Sequence, residues 1–290
     1  MKIITTVRSN NIETYMNMDV DALMLGLKNY TTYLDYSFDI NAIRIITSHK
    51  GNKEIYVLVN RIIENTEIEE TRKTLKELAS LNIDGIVILD MGLLQIAKEE
   101  HMLNKIVFSP STYITNKDTA AYFSSYGIKR LSPSREISLN NILEIKNNIH
   151  CEMEVMVYGH RNIFYSKRHL LDLYNENYNT DVKVSYLKEE KRESLFPIKQ
   201  NEQGTFVYSE KPLNLIKYLD KFIENNIDYI NLESNFINEK ELSKVATEFR
   251  NAINIYYDKE AFYKYINSLN IDDSDDGFIN RDSVYMQEEY

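Results

Sequence analysis

The chain alternates short runs of apolar, β-branched residues with longer amphipathic segments, and this alternation constrains its fold more than any other feature. Glu54–Asn60 and Gly85–Asp90 are typical of buried strands, and Ile68–Leu81 between them carries apolar residues at helical spacing. A strand–helix–strand order predicts parallel strands joined by right-handed crossovers. About eight such strands, nearly all separated by helices, favour an α/β fold of the (β/α)8 TIM-barrel type over an open doubly wound sheet.

The remaining predicted strands share the apolar pattern and are Lys2–Val7, Ala22–Gly26, Lys105–Ser109, Lys129–Pro133, Glu152–Tyr158 and Tyr229–Glu233. The remaining predicted helices are Asn11–Met18, Phe38–His49, Gly92–Glu100, Thr119–Tyr126, Leu139–Asn147, Leu213–Asn225, Glu239–Asn251 and Lys259–Leu269. Between about Arg161 and Pro212 the alternation stops, and turn signals predict a long insertion before the last strand. We therefore expect one barrel domain over residues 1–270, with an insertion at about 161–212, and an acidic C-terminal tail over 271–290.

The charge of the chain bears on its partners. The formal net charge is −10, from 44 acidic and 34 basic residues. An acidic chain has no general electrostatic attraction to a phosphate backbone. Contact with nucleic acid would therefore need a local basic patch, for example near Lys188–Arg192, or a partner protein.

Cysteine usage and hydropathy indicate the compartment. Cys151 is the only cysteine, so this chain alone cannot form an internal disulfide, a four-cysteine zinc site or a four-cysteine iron–sulfur cluster. The N-terminal apolar run is too short for a signal peptide, and no stretch approaches the roughly 18 apolar residues that span a bilayer. We expect a protein of the reducing cytoplasm that does not associate with membranes.

In a parallel barrel, functional residues lie at the carboxyl ends of the strands. The polar residues that the sequence places at or near those ends are Asn60, Asp90, Ser111, Arg135, Glu136, Tyr158, His160 and Glu233, and Glu154 lies inside the predicted strand that leads to Tyr158. An Arg–Glu pair beside two further carboxylates could bind a charged small molecule or position a proton donor. We therefore take these nine residues as candidates for substrate binding and leave the catalytic residues unassigned.

Several of these residues have a structural alternative. Asp90 could cap the helix that follows it. Arg135 and Glu136 could form a surface ion pair, because adjacent residues in an extended segment point apart. Glu154 lies between apolar residues inside a predicted strand and therefore needs a buried partner.

Metal and nucleotide chemistry has little support in the sequence. His160 and His169 could bind a metal together with Glu154, but single histidines are more often surface or hydrogen-bonded residues, so we predict no metal. The chain contains no Walker loop, GxGxxG, HExxH or GxSxG motif, which leaves nucleotide, zincin and serine-hydrolase sites without a signature.

The segment from Glu154 to Leu171 resembles the signature of the peptidase U32 family. In that signature a glutamate precedes apolar residues, His-Gly, a cysteine, and then a Tyr-Ser-Gly-Arg-Cys-Leu-Leu-Ser run. Further segments resemble other family motifs in the same order along the chain: Tyr56–Asn60, Ile83–Asp90, Ser111-Thr112 with Asn116, Arg135–Leu139, Phe196-Pro197, Gly204-Thr205, Asn231–Glu233 and Gly277-Phe278. The resemblance covers nearly the whole chain and implies the barrel fold.

The chain departs from the family pattern at its cysteines. Asn162 stands at the first signature cysteine, His169 at the second, and Tyr158 at the usual histidine. The resemblance therefore implies a member without an iron–sulfur cluster, similar to the short, cysteine-poor branch of Firmicutes-like bacteria.

For that branch the resemblance implies prephenate-dependent 5-hydroxylation of the tRNA wobble uridine. The expected partner is a cysteine-containing paralogue in a hetero-oligomer, or a second copy of this chain, and tRNA is contacted directly or through that partner. Two alternatives stay open: a U32-type, collagenase-like peptidase, and a degenerate binding subunit that does not catalyse.

Overall fold

The computed structural model describes residues 1–182, 184–188, 193–254, 257–269 and 273–281. In chain order the strands are β1 (Lys2–Thr6), β2 (Ala22–Gly26), β3 (Glu54–Val59), β4 (Gly85–Ile88), β5 (Ile106–Phe108), β6 (Arg130–Leu131), β7 (Glu152–Gly159), β8 (Asn162–Ser166), β9 (Val184–Lys188), β10 (Leu195–Asn201), β11 (Gly204–Tyr208), β12 (Leu213–Asn214) and β13 (Tyr229–Leu232). The helices are α1 (Ile12–Met16), α2 (Ile40–Ser48), α3 (Ile68–Ser80), α4 (Met91–Glu99), α5 (Lys117–Ser124), α6 (Leu139–Lys146), α7 (Leu170–Tyr178), α8 (Leu219–Glu224), α9 (Glu239–Asn254) and α10 (Lys259–Ser268).

Strands β1 to β7 and β13 form a closed parallel barrel. Each of β1 to β6 pairs in parallel with the next strand in the chain, and β13 pairs with both β7 and β1 to complete the ring. The predicted (β/α)8 architecture is therefore confirmed. None of the described helices is both long and apolar enough to cross a bilayer.

The strand pleat divides the buried residues into two layers. In β1, Ile3 packs outward against the helices, whereas Ile4 packs inside the barrel. In β3, Tyr56 and Leu58 point inward while Val57 points outward. This alternation follows from the two-residue period of a strand. It explains why both faces of these strands are apolar.

The centre of the barrel contains a buried charge, Arg130 of β6. Its guanidinium contacts Glu154 Oε2 at 3.1 Å and Glu152 Oε2 at 3.2 Å, and it also donates to the Tyr56 hydroxyl. The guanidinium carbon lies 3.2 Å from the centroid of the Tyr229 ring. Arg130 is thus the buried partner that the position of Glu154 requires.

The predicted insertion forms an antiparallel sheet in the order β8–β11–β10–β9. Helix α7 packs on this sheet, and Leu171, Ile198 and Val207 form the small apolar cluster between them. Residues 189–192, most of the basic segment considered for nucleic-acid contact, lie outside the described residues.

The chain that returns from the insertion differs from the sequence prediction. Leu213–Asn225 is wrong as a continuous helix, because Leu213 and Asn214 form β12 and pair antiparallel with Gly159 and Tyr158. A single 3₁₀ turn follows, and α8 begins only at Leu219. The tertiary pairing with β7 has overridden the local helical pattern.

Part of the predicted acidic tail lies against the barrel. Asn214 N donates to Asp275 O at 2.8 Å, and Leu139 N donates to Ile279 O at 2.9 Å. The Ile279 side chain is buried in the outer apolar layer. Residues 270–272 and 282–290 lie outside the described residues.

Candidate functional site at the barrel mouth

Two arginines and one glutamate meet at the carboxyl end of the barrel. Arg8 follows β1, Arg135 follows β6, and Glu233 follows β13. Arg8 Nη2 lies 3.1 Å from Glu233 Oε2, and Arg135 Nη2 lies 3.7 Å from Glu233 Oε1. With only one carboxylate between two guanidiniums, this cluster has a net positive charge and favours an anionic group.

The neighbours of the two arginines affect the pKa of Arg135 and fix the position of Arg8. Burial is the largest influence on the Arg135 guanidinium and alone would lower its pKa, but Glu233, Tyr33 and Glu154 together raise that pKa above its ordinary value. Arg8 also donates from Nε to Ser234 Oγ at 2.9 Å and from Nη1 to the Tyr33 carbonyl oxygen at 3.0 Å. The Arg8 side chain is therefore fixed in position by three separate contacts.

Two asparagines line the mouth, each with one polar atom that lacks a partner. Asn60 Oδ1 accepts from Thr32 N at 3.0 Å, and Asn231 Nδ2 donates to Glu154 Oε1 at 2.9 Å. These bonds fix the orientation of both amides. Asn60 Nδ2 and Asn231 Oδ1 are buried and have no hydrogen-bond partner within the described part of the chain. Such groups call for a specific explanation.

These side chains surround a small cavity of about 20 Å³. The sequence-predicted residues that line it are Asn60, Ser111, Arg135, Glu154 and Glu233. Four of them follow strands, as the barrel argument predicts, whereas Glu154 lies within β7 and reaches the cavity from inside the barrel. Ser111 has a φ of +71°, a conformation that is uncommon for residues other than glycine.

Asp90 does not line this cavity. Its Oδ1 accepts from Gly92 N at 2.6 Å at the start of α4, and its Oδ2 accepts from Ile63 N at 3.2 Å. The structure therefore supports the capping alternative for Asp90.

Replacing Asp90 with Ala is expected to lower the free energy of unfolding by about 1 kcal/mol, because the first turn of α4 loses its cap. Asp90→Ser should retain most of the stability, since a hydroxyl can also accept from the helix N-terminus. Urea titrations of both variants would measure this. An unchanged stability of Asp90→Ala would rule out the capping role.

Glu136 does not join the cluster around its neighbour Arg135. It is exposed, and its charge acts on Arg161, whose pKa it raises against the larger lowering effect of burial. The structure thus brings Arg135 to the mouth cavity but does not bring Glu136 there.

Tyr158 and His160 belong to a second, larger cleft of about 860 Å³ between the barrel and the insertion sheet. His160 Nδ1 lies 2.8 Å from Ser209 O, and its ring contacts Phe236 at a centroid distance of 5.0 Å. Phe236 has a φ of +62° and also packs edge-on against Tyr208. This cleft opens beside the Arg8 end of the mouth, since Arg8 lines it too.

The residues at the family cysteine positions lie in the insertion. Asn162 begins β8 and donates from Nδ2 to Val207 O at 3.2 Å. His169 precedes α7, is exposed, and lies 3.2 Å from Asp172. Among the described residues no group of three or more His, Cys, Asp or Glu side chains could hold a metal ion.

Sequence reasoning missed four residues that shape the site: Arg8, Tyr33, Arg130 and Asn231. Arg8 could have been found from the sequence, because it directly follows the predicted strand Lys2–Val7. Asn231 is a polar residue within the predicted strand Tyr229–Glu233, two positions before Glu233 and so on the same face of that strand. Tyr33 and Arg130 had no such signal, since their roles depend on which elements meet across the barrel.

The fold and the site can be compared with known proteins. The tRNA hydroxylation protein P2 of Bacillus subtilis (strain 168) is 26% identical over 303 aligned residues, covering 98% of this chain and 98% of that protein. The tRNA hydroxylation protein P of Helicobacter pylori (strain ATCC 700392 / 26695) is 22% identical, covering 92% of this chain and 68% of that protein. The solved structure of the U32 peptidase Mk0906 shares the fold, with a TM-score of 0.50 and 14% identity over 80% of this chain and 92% of that one.

The sequence profile described as peptidase family U32 matches residues 8–286. The match begins at Arg8, includes every strand from β2 to β13, and covers all the side chains of the mouth. The chain therefore belongs to peptidase family U32.

Proposed function

We propose that this protein is the subunit without an iron–sulfur cluster in prephenate-dependent 5-hydroxylation of the tRNA wobble uridine, and that it acts in the cytoplasm with a cysteine-containing paralogue. The observation that carries the proposal is the likeness to the Bacillus subtilis protein named tRNA hydroxylation protein P2, which extends over 98% of both chains. The Helicobacter pylori relative, named tRNA hydroxylation protein P, supports a role in tRNA hydroxylation.

The mouth supports a functioning site over a degenerate one. Arg135, Glu154 and Glu233 converge on a single cavity. Two buried amides there present a donor and an acceptor that have no hydrogen-bond partner among the residues that the structure describes. Burying a polar atom without a hydrogen-bond partner lowers stability, and a barrel mouth that served only as an interface would not need such atoms.

A peptidase has less support from these residues. Cys151 is the only thiol of the chain, and burial raises its pKa, which disfavours the reactive thiolate. The carboxylates of the mouth are engaged by arginines, since Glu233 faces Arg8 and Arg135 while Glu154 faces Arg130.

The acidic charge of the chain favours a shared substrate site. The mouth has a net positive charge, but the whole chain has a net charge of −10. A protein of this charge gains little from non-specific attraction to tRNA. The paralogue would therefore supply most of the phosphate contacts, while this chain contributes a polar barrel mouth.

Deleting the gene in the native host is expected to lower 5-hydroxyuridine and its derivatives in total tRNA severalfold, as measured by nucleoside mass spectrometry. Complementation with Arg135→Met or Glu233→Gln should fail, because each removes a charge of the mouth cluster. Glu136→Gln is the matched control and should restore the modification, since its side chain lies outside the cluster. Unchanged modification in the deletion strain would refute the proposed function.

A further inference from the structure

The Tyr33 side chain fills the entrance of the barrel. It packs against the apolar residues of the barrel interior and lines the small mouth cavity. Its phenol faces Asn60, Arg135 and Glu233. Burial raises the pKa of the Tyr33 hydroxyl, and the Glu233 carboxylate raises it further. A neutral six-membered ring with a polar edge therefore lies directly over the cavity.

This placement is strained. Tyr33 has a φ of +48°, which is an outlier for a bulky side chain. Strained conformations persist only where the surroundings hold them, and they are concentrated at functional sites and switches. Here the Arg8 guanidinium holds the Tyr33 carbonyl, while Asn60 accepts from the backbone of the preceding residue, Thr32.

The Tyr33 hydroxyl does not complete the hydrogen bonding of the two mouth asparagines, Asn60 and Asn231. Asn60 Nδ2 faces the Tyr33 hydroxyl but does not form a hydrogen bond of normal geometry with it, and Asn231 Oδ1 has no partner among the described residues. Both asparagine side chains are more than nine-tenths buried. The site thus presents one unused donor and one unused acceptor, with orientations fixed by other bonds.

The geometry points to a pyrimidine-base site in which Tyr33 occupies the position of the base, and in which Asn60, Asn231 and Arg135 bind the edge of a uracil once Tyr33 has swung out. This inference rests on the proposed function and names the part of the substrate that enters the barrel. Uracil matches the free groups, because its carbonyl oxygens accept from Asn60 Nδ2 or Arg135 and its N3–H donates to Asn231 Oδ1. Cytosine does not match, since its N3 is an acceptor and would face Asn231 Oδ1.

The segment that carries Tyr33 has the properties of a strap. Residues 28–38, which we call the strap, are closed at their base by Phe38 N donating to Gly26 O at 2.8 Å and Lys28 N donating to Phe38 O at 2.9 Å. Along its outer side lies a cavity of about 520 Å³, lined in part by Tyr36 and Asn201. Opening is confined to residues 33–37, because Thr31 and Thr32 stay bonded to the Leu58 carbonyl and to Asn60, which keeps the Asn60 amide oriented. It would break the contact of Arg8 with the Tyr33 carbonyl, that of Asn201 with the Leu34 carbonyl, and the ion pair between Lys199 and Asp35.

The test is nucleotide binding by the purified full chain. Uridine 5′-monophosphate and cytidine 5′-monophosphate are titrated by calorimetry against the natural protein and against Tyr33→Ala. Removal of the competing ring is expected to raise the uridine nucleotide affinity about tenfold, and the variant should prefer it over the cytidine nucleotide by about tenfold or more, because a mismatched edge leaves buried polar groups unpaired. Tyr33→Phe keeps the ring and should show no such gain.

The matched control is Tyr36→Ala, which removes an exposed tyrosine from the same strap and should leave both affinities unchanged. Adding Asn60→Ala or Asn231→Ala to Tyr33→Ala should abolish the preference for uridine. Equal affinities for the two nucleotides, or no gain in Tyr33→Ala, would overturn the inference. Thermal unfolding of each variant shows whether it is folded, and Tyr33→Leu replaces Tyr33→Ala if the latter does not fold.

A second measurement reports the strap itself. The chain contains no tryptophan, so Tyr36→Trp introduces a single fluorophore on the strap. Saturating uridine nucleotide should shift its emission, and an unchanged spectrum at saturation would contradict strap opening. The two proposals can fail separately. If gene deletion abolishes tRNA hydroxylation but Tyr33→Ala binds the two nucleotides equally, this inference is refuted and the proposed function is retained.

Discussion

Replacing Arg130 with Met is expected to lower the free energy of unfolding by about 3–5 kcal/mol. Arg130 is fully buried, and its guanidinium is the partner of Glu154, whose side chain is also buried. Removing only the cation leaves a carboxylate in the centre of the barrel that still accepts a hydrogen bond from Asn231 but has lost its ion pair with Arg130. Burial alone would lower the pKa of Arg130, but the surrounding carboxylates raise it.

Urea unfolding at neutral pH would measure this loss. Combining Arg130→Met with Glu154→Gln should recover part of the stability, because the uncompensated charge is then removed as well. Arg44→Met breaks an exposed ion pair with Glu77 and should cause a much smaller change. If Arg130→Met and Arg44→Met lower the free energy of unfolding by similar amounts, Arg130 does not compensate a buried charge.

Replacing Gly159 with Ala is expected to lower the free energy of unfolding by about 2–4 kcal/mol, the sum of an unfavourable backbone conformation and a steric clash. Gly159 ends β7 with a φ of +105°. A methyl group there would overlap the Glu233 carbonyl oxygen and approach Glu233 Cβ to 2.8 Å. The substitution should therefore also displace the carboxylate of the mouth and reduce tRNA hydroxylation.

The matched control is Gly127→Ala. Gly127 also has a positive φ, +82°, but a methyl group there would meet nothing within 4 Å. Gly127→Ala should therefore lower the free energy of unfolding by only about 1–2 kcal/mol, from the unfavourable backbone conformation alone, and should retain tRNA hydroxylation. Equal losses in the two variants, measured by chemical denaturation, would show that the contact with Glu233 has no effect.

The barrel could be predicted because each of its strands has a recognisable pattern within a few consecutive residues. Each strand is a short apolar run, and the two-residue pleat with apolar layers on both sides makes such runs recognisable in sequence. Leu213–Asn225 shows the limit of local patterns. Leu213 and Asn214 fit a helix locally, but they pair instead with the end of β7, beyond the two residues of β7 that pair with β6.

The mouth could be predicted in outline for a similar reason. Asn60, Arg135 and Glu233 follow strands, and the carboxyl ends of parallel strands meet at one rim. Sequence position does not tell which of two adjacent residues turns inward, and so Glu136 was chosen together with Arg135. Tyr33 could not be found in this way, because it lies mid-segment and reaches the mouth only through the path of the strap.

The closure of the barrel also has a consequence for synthesis of the chain. β1 lies parallel to β13, with Lys2 opposite Tyr229, so the first strand finds its second neighbour only after more than two hundred residues have been made. Contacts so distant in sequence slow folding, and nascent chains emerge at about 5–20 residues per second. For many seconds on the ribosome, the nascent protein therefore has an unpaired β1 edge that chaperones or misfolding partners can reach.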